Sequence, residues 1–146
     1  MTQLLVIDDD DQYWYQTILL PIEDYSPDIV PSCVEIADVC HKGLVAYYRN
    51  ISTLKLVIID LMIDLGEDWR EQIYEESNDL LGINVYRHIR AHNKDIPIFI
   101  HSYLRPEFTK VIFEDDKNTT YIQKDKFNPA GLKYMTNQLK SLIQWK

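Results

Sequence analysis

The sequence has no cluster of lysine or arginine, no long apolar run, and almost none of the cysteine that builds metal fingers or disulfide frameworks. Its formal net charge is −8. A chain without grouped cations has little to neutralise a phosphate backbone, so nucleic acid is excluded as a direct partner. No apolar run approaches the roughly 20 residues needed to cross a bilayer, and no membrane attachment is expected. The N-terminal MTQLLVIDDDD lacks the charged-then-apolar leader of an exported protein, so a cytoplasmic location is expected. Cys33 and Cys40 are the only cysteines; their spacing fits no metal motif, and they read as reduced, partly buried thiols. Repeats, linkers and low-complexity tracts are missing too. What is present is a chain of 146 residues, 46% of them hydrophobic, which is enough for one domain with a real core. A single domain over residues 1–146 is expected.

The acidity is uneven. Between Asp64 and Asp79, seven acidic residues stand against Arg70 alone, a balance of −6. Such a segment is either a solvated loop or a surface that faces or gates a partner.

Short apolar runs alternate with segments of helical spacing. Leu4-Leu5-Val6-Ile7, Cys33 to Ile36 behind Pro31, Leu56-Val57-Ile58-Ile59, Ile96 to Ile100, and Tyr121-Ile122-Gln123 read as five strands. Continuous apolar runs of this length suit strands buried on both faces. The first helix is expected from Asp11 to about Leu20, stopped at Pro21. The second runs to Asn50, capped by Asp38 and weakened by Gly43. Ile83 to His92 is the third, and Pro106 opens a short fourth containing Phe108, Val111 and Ile112. The fifth, Pro129 to Trp145, carries Leu132, Met135, Leu139, Leu142 and Ile143 on one stripe. Strand then helix, five times over, predicts an α/β fold with a parallel sheet and helices on both faces.

The strand ends carry the chemistry. The first ends in Asp8-Asp9, the third in Asp60, the fourth in Ser102 and the fifth in Lys124. Ligands of open parallel sheets bind beyond these carboxyl ends, and a strand order 2-1-3-4-5 sets the four positions along one edge. Two like charges at 4 Å repel by about 4 kcal/mol at an effective dielectric near 20, so clustered carboxylates call for a proton or a cation. Oxygen-only ligands point to Mg²⁺. Carboxylates, Mg²⁺, a lysine and a hydroxyl together make a phosphoryl-binding site, in which an aspartate can serve as nucleophile.

These fragments resemble the receiver domains of two-component response regulators. LLVIDDDD corresponds to the first strand and acidic pair, LVIIDLM to the phosphoacceptor strand, IPIFIHS to the hydroxyl strand and YIQK to the lysine strand. The resemblance implies a flavodoxin-like (CheY-like) sheet of order 2-1-3-4-5. It implies that Asp60 accepts a phosphoryl group from a histidine kinase or histidine phosphotransfer protein. By the same resemblance, Asp8, Asp9, Asp60 and the backbone carbonyl of Met62 hold Mg²⁺, Ser102 and Lys124 contact the phosphoryl oxygens, and Ser102 with Tyr121 forms the switch. Signalling would then pass by contact with a downstream target protein, since no output domain follows the fifth helix, with homodimerisation on phosphorylation left open.

The sequence departs from the family pattern at four places. Asp125 follows Lys124 where a proline is usual, and Tyr103 follows Ser102 where a small residue is usual. Met62 cannot orient a water, which predicts slow self-dephosphorylation. An acidic insert at about 63–81 separates Asp60 from Gly82, and Trp69, Ile73 and Leu80 are spaced for a short helix within it. Two rival readings remain open: a receiver-like binding module that works without phosphorylation, and a haloacid-dehalogenase-like phosphatase. The latter would use Asp8 as nucleophile and Asp10 as acid, and needs a further acidic pair at a strand end. His88 and His92 read as exposed helix residues rather than metal ligands, His101 as a core residue, and Tyr13, Trp14 and Tyr15 as packing and rim residues.

Overall fold

The computed structural model describes residues 1–23, 32–63, 81–125 and 128–145. Leu4–Ile7 (β1), Val34–Ala37 (β2), Leu56–Ile59 (β3), Ile98–Ser102 (β4) and Thr119–Gln123 (β5) form a parallel sheet in the order β2-β1-β3-β4-β5. Side chains alternate across it. Leu5, Ile7, Val57, Ile59 and Ile100 enter one core layer, while Leu4, Val6, Leu56, Ile58 and Phe99 enter the other. Both faces are apolar because both are covered, which is why β1 and β3 read as unbroken apolar runs.

One layer is closed by α1 (residues 11–23) and by α5 (Pro129–Leu142), through Trp14, Ile18, Leu19, Met135 and Leu139. The helical run α1 consists of Asp11–Tyr13, Trp14–Leu19 and Leu20–Glu23, its middle segment in wide π turns. Against the other layer pack α2 (Cys40–Arg49), α3 (Leu81–His92) and the short α4 (Lys110–Phe113), the last entered through a 3₁₀ turn at Pro106–Phe108. Among the described residues no helix is long and apolar enough to cross a membrane.

The structure corrects several boundaries. The first helix does not stop at Pro21 but passes it, and is described as far as Glu23. A proline ring clashes with the carbonyl four residues earlier in an α register, and the π turns fall directly ahead of it, with Leu20 N–H donating to Tyr15 O. Asp38 does not cap α2; the cap position is Val39, with no side-chain bond, and Asp38 instead pairs with Lys42 at 3.0 Å on the surface. The second strand is Val34–Ala37 rather than Cys33 to Ile36. The fourth starts at Ile98, after Pro97, and runs to Ser102. The expected fourth helix is broken at Thr109, and Val111 is exposed.

Gly43 is there for packing: a Cβ would come within 2.7 Å of the Ile7 side chain, so α2 lies directly on β1. Cys33 and Cys40 are buried and form no disulfide. Pro31 and the acidic segment 64–80, with Trp69, Ile73 and Leu80, lie outside the described residues.

Candidate functional site

Register alone brings the strand ends together. Ile7 pairs with Ile59, and Asp60 N–H continues that ladder to Ile7 O at 2.9 Å, so Asp8 and Asp60 leave neighbouring strands at the same level. Across the sheet, Lys124 N–H donates to Ser102 O at 2.7 Å, which carries the β4–β5 pairing one residue past β5. Lys124 then reaches back over the edge. Its ammonium donates to Asp8 Oδ2 at 2.6 Å and to Asp60 Oδ2 at 3.2 Å. Asp8, Asp60, Ser102 and Lys124 are all buried. Asp9 is exposed, yet one carboxylate oxygen each from Asp8, Asp9 and Asp60 lie within 4.8 Å of one another.

The electrostatics follow from burial and pairing. Burial pushes the Asp60 carboxyl above the usual carboxylate range; Lys124 opposes the rise and Asp8 adds to it. Burial also works against the Lys124 ammonium, but Asp60 and Asp8 outweigh it and hold its pKa above the ordinary lysine value. Met62 N–H donates to Asp60 Oδ1 at 3.0 Å and Asp10 N–H to Asp8 Oδ1 at 2.9 Å, which fixes the rotamers of both carboxylates. Gly82 closes the site from below. A Cβ there would lie 2.6 Å from Leu61 Cα and against the Asp60 carbonyl, so only glycine lets α3 begin so close to the strand end.

Three residues read as packing turn out to belong to the site. Trp14, fully buried, donates its indole N–H to Asp8 Oδ2 at 2.9 Å. The Tyr13 ring lies 4.9 Å from Lys124 Nζ, and its hydroxyl is 2.8 Å from His101 Nε2. The sequence carries no local signal for this group, because His101 sits 88 residues from Tyr13. Only the aromatic pair one turn after an acidic strand end hints at it. The Tyr103 ring also lies over Lys124, 5.3 Å from Nζ, and is largely exposed.

Tyr121 is half-buried at the edge, its hydroxyl donating to Leu104 O at 2.7 Å in the loop after β4. Burial pushes that phenol up to about 12. His88 and His92 do not converge on a metal site; they meet Tyr48 and Tyr47 of α2 at 2.9 and 2.8 Å. Asp115 and Asp116 precede β5, so they lie at the opposite edge of the sheet from Asp8, whereas the phosphatase reading needs its second acidic pair beside Asp8.

The oxygen-only donor set Asp8, Asp9 and Asp60 suits a hard cation of the Mg²⁺ type. No protein-family model matches the sequence, and no curated protein matches it. Solved structures do. A CheY-like response regulator receiver domain from Methanospirillum hungatei JF-1 aligns over 97% of this chain and 96% of its own, at 17% identity and a TM-score of 0.59. The chain has the receiver fold. The receiver domain of the Francisella response regulator 1452 aligns over 97% and 96%, at 21% identity and a TM-score of 0.59. The Mn²⁺-bound form of the response regulator Rcp1 aligns over 100% and 99%, at 14% identity and a TM-score of 0.61. In the receiver fold the edge occupied here by the acidic cluster is the one formed by the carboxyl ends of the strands.

Proposed function

We propose that the chain is a phosphoacceptor: Asp60 takes a phosphoryl group from a phosphohistidine on a histidine kinase or histidine phosphotransfer protein. The carrying observation is the buried Lys124 ammonium bonded at once to Asp8 and Asp60, with Asp9 completing the oxygen cluster. An Asp60 carboxylate oxygen attacks phosphorus in line with the P–N bond to the donor imidazole. That bond breaks, its electron pair stays with the imidazole, and Asp60 becomes an acyl phosphate. Mg²⁺ would be held by Asp8, Asp9, Asp60 and the Met62 carbonyl and would supply charge neutralisation at the phosphoryl group; one of the similar structures is a Mn²⁺-bound response regulator.

Lys124 is already in contact with Asp60 and needs only a short shift to pair with a phosphoryl oxygen, while Ser102, at the end of β4, offers its hydroxyl. The new charge of about −1.5 to −2 draws Ser102 inward and releases Tyr121 from the Leu104 carbonyl. The changed face then meets a downstream target protein. This reading takes residues 1–146 as one domain, with the acidic insert at about 63–81 following Asp60 in the sequence.

A second reading, a binding module of the same fold that is never phosphorylated, is favoured by the occupancy of Asp8. That carboxylate already accepts from Asp10 N–H, Trp14 N–H and Lys124. Intact-mass spectrometry after incubation with Mg²⁺ and phosphoramidate separates the two. A single adduct that is lost in Asp60→Ala supports the phosphoacceptor; no adduct on the native protein supports the binding module.

A further inference from the structure

The Lys124 ammonium is held by more than its two carboxylates. Beyond Asp8 and Asp60 it faces two aromatic rings, Tyr13 at 4.9 Å and Tyr103 at 5.3 Å from their centroids. Tyr103 is 60% exposed. Tyr13 is fixed. Its hydroxyl meets His101 Nε2 at 2.8 Å, and the other ring nitrogen of His101 meets Ile122 O at 2.7 Å.

The direction of each bond follows from the chemistry of the groups. A backbone carbonyl only accepts, so His101 Nδ1 carries the hydrogen, and in the neutral ring Nε2 is then the acceptor. Burial pushes His101 down to about 4, which keeps the ring neutral under physiological conditions. Tyr13 therefore donates its hydroxyl proton to His101. Trp14 braces the pair, its ring 5.8 Å from the imidazole and edge-on at 76°, while its N–H holds the same Asp8 oxygen that Lys124 binds.

We propose that His101 and Tyr13 are positioning residues for Lys124: the imidazole fixes the Tyr13 hydroxyl, and the Tyr13 ring fixes the ammonium so that it meets an incoming phosphoryl group from one direction. The proposal rests on the phosphoacceptor reading of Asp60 for its functional half. A cation over an aromatic face is attracted to it, more strongly when both are shielded from water, and Lys124 is 2% exposed. A lysine side chain has four rotatable carbons and three equivalent donors, so two carboxylates alone leave it free to swing about them. The ring removes that freedom on one side.

The test has two arms. In the first, the Lys124 ammonium is observed by ¹H–¹⁵N NMR of metal-free protein, where protons above an aromatic face are shifted upfield. Tyr13→Leu should reduce that shift to what the Tyr103 ring alone produces and speed exchange with water; Tyr13→Phe, which keeps the ring but loses the His101 bond, should give an intermediate signal. An unchanged Lys124 signal in Tyr13→Leu that is folded by its thermal melt overturns the proposal. In the second arm, phosphorylation by phosphoramidate is followed against donor concentration. Tyr13→Leu should lower the maximal rate roughly tenfold, with half-saturation unchanged, and should have no further effect in a Lys124→Ala background. An equal loss with and without Lys124 shows that Tyr13 acts through something else and overturns the proposal. No adduct on the native protein would sink the phosphoacceptor reading, while the NMR arm still decides whether the ring positions the lysine.

Discussion

Removing the Arg90 guanidinium should destabilise the fold more than any other single substitution of an exposed or half-exposed side chain. All five N–H donors of Arg90 are used. Nε donates to Asp116 Oδ2 at 2.7 Å, Nη1 to the Asn93 and Ile96 carbonyls at 3.1 and 2.6 Å, and Nη2 to Asn118 O and Thr119 Oγ1 at 2.9 and 3.0 Å. One side chain thereby clasps the end of α3, the approach to β4 and the turn into β5. The Asp116 oxygen also accepts from Tyr86 at 2.5 Å and Thr119 at 2.8 Å. Breaking a buried ion pair by deleting one member costs about 3–5 kcal/mol; the pair here is 11% and 17% exposed, so the lower half of that range, about 3–4 kcal/mol, applies to Arg90→Ala. Arg90→Lys keeps the charge but has three donors on a point-like head, and should cost about 1.5–2.5 kcal/mol. Against a total stability of about 5–15 kcal/mol, both are readily measured by urea unfolding as a lower midpoint with an unchanged slope. A loss below about 1 kcal/mol for Arg90→Ala, at constant slope, would refute the claim that this clasp holds the lower edge of the sheet.

Three further outcomes are expected. Burial opposes the charge on Asp116, but the hydrogen bonds from Tyr86, Arg90 and Thr119 outweigh it and hold its pKa at about 2, below the unfolded 3.8. Its contribution is therefore complete above the unfolded value and is lost as pH falls towards 2, so Asp116→Asn should flatten the acid limb of an unfolding profile by about 1–2 kcal/mol. Gly82→Ala forces backbone rather than a flexible side chain to move, and should cost about 1–3 kcal/mol in urea while slowing any phosphorylation of Asp60. Asp60 is the opposite case from Asp116: its raised pKa means the charged form is unfavourable when folded, so stability should rise as pH falls from its folded pKa towards the unfolded value. Asp60→Asn should raise the urea midpoint of the protein in a chelator, and Mg²⁺ should narrow the difference; a lower midpoint in chelator would contradict the electrostatic account.

Much of this was legible in the sequence, and the physics says which parts. Leu56 to Asp60 shows its role because a strand buried on both faces must be apolar throughout, and a carboxylate at its end marks where the sheet meets solvent. The parallel register does the rest, since equal strands starting level must also end level, which sets Asp8 beside Asp60. The packing role of Gly43 is not legible in the sequence, because helix propensity is local, whereas the Ile7 side chain that excludes a Cβ comes from another element. Asp38 was misread as a cap for a similar reason: spacing identifies a residue able to cap, and Lys42 competes for it. Beyond the aromatic pair that follows the acidic strand end, Trp14, Tyr13 and His101 gave no signal, because their roles depend on which way three rings point after β4 and α1 have packed. The fold's periodicities carry residues to a layer; they do not carry the direction of a hydroxyl.

The two edges of the sheet also show why one is read as a working site and the other as scaffold. At the lower edge Arg90 and Asp116 are matched one to one, and every donor of the guanidinium is used. Nothing more is required there. At the upper edge the Lys124 ammonium bonds two buried carboxylates, Asp8 and Asp60, and an oxygen of a third, Asp9, lies within 4.8 Å of theirs. Burial makes that excess costly, which is what raises Asp60 above the usual carboxylate range. A fold selected for stability alone would replace one of the three by a neutral residue, as the expected gain from Asp60→Asn implies. That excess is what the proposed divalent cation would offset. The same excess explains why Lys124 is held by both Asp8 and Asp60, with its pKa above the ordinary lysine value.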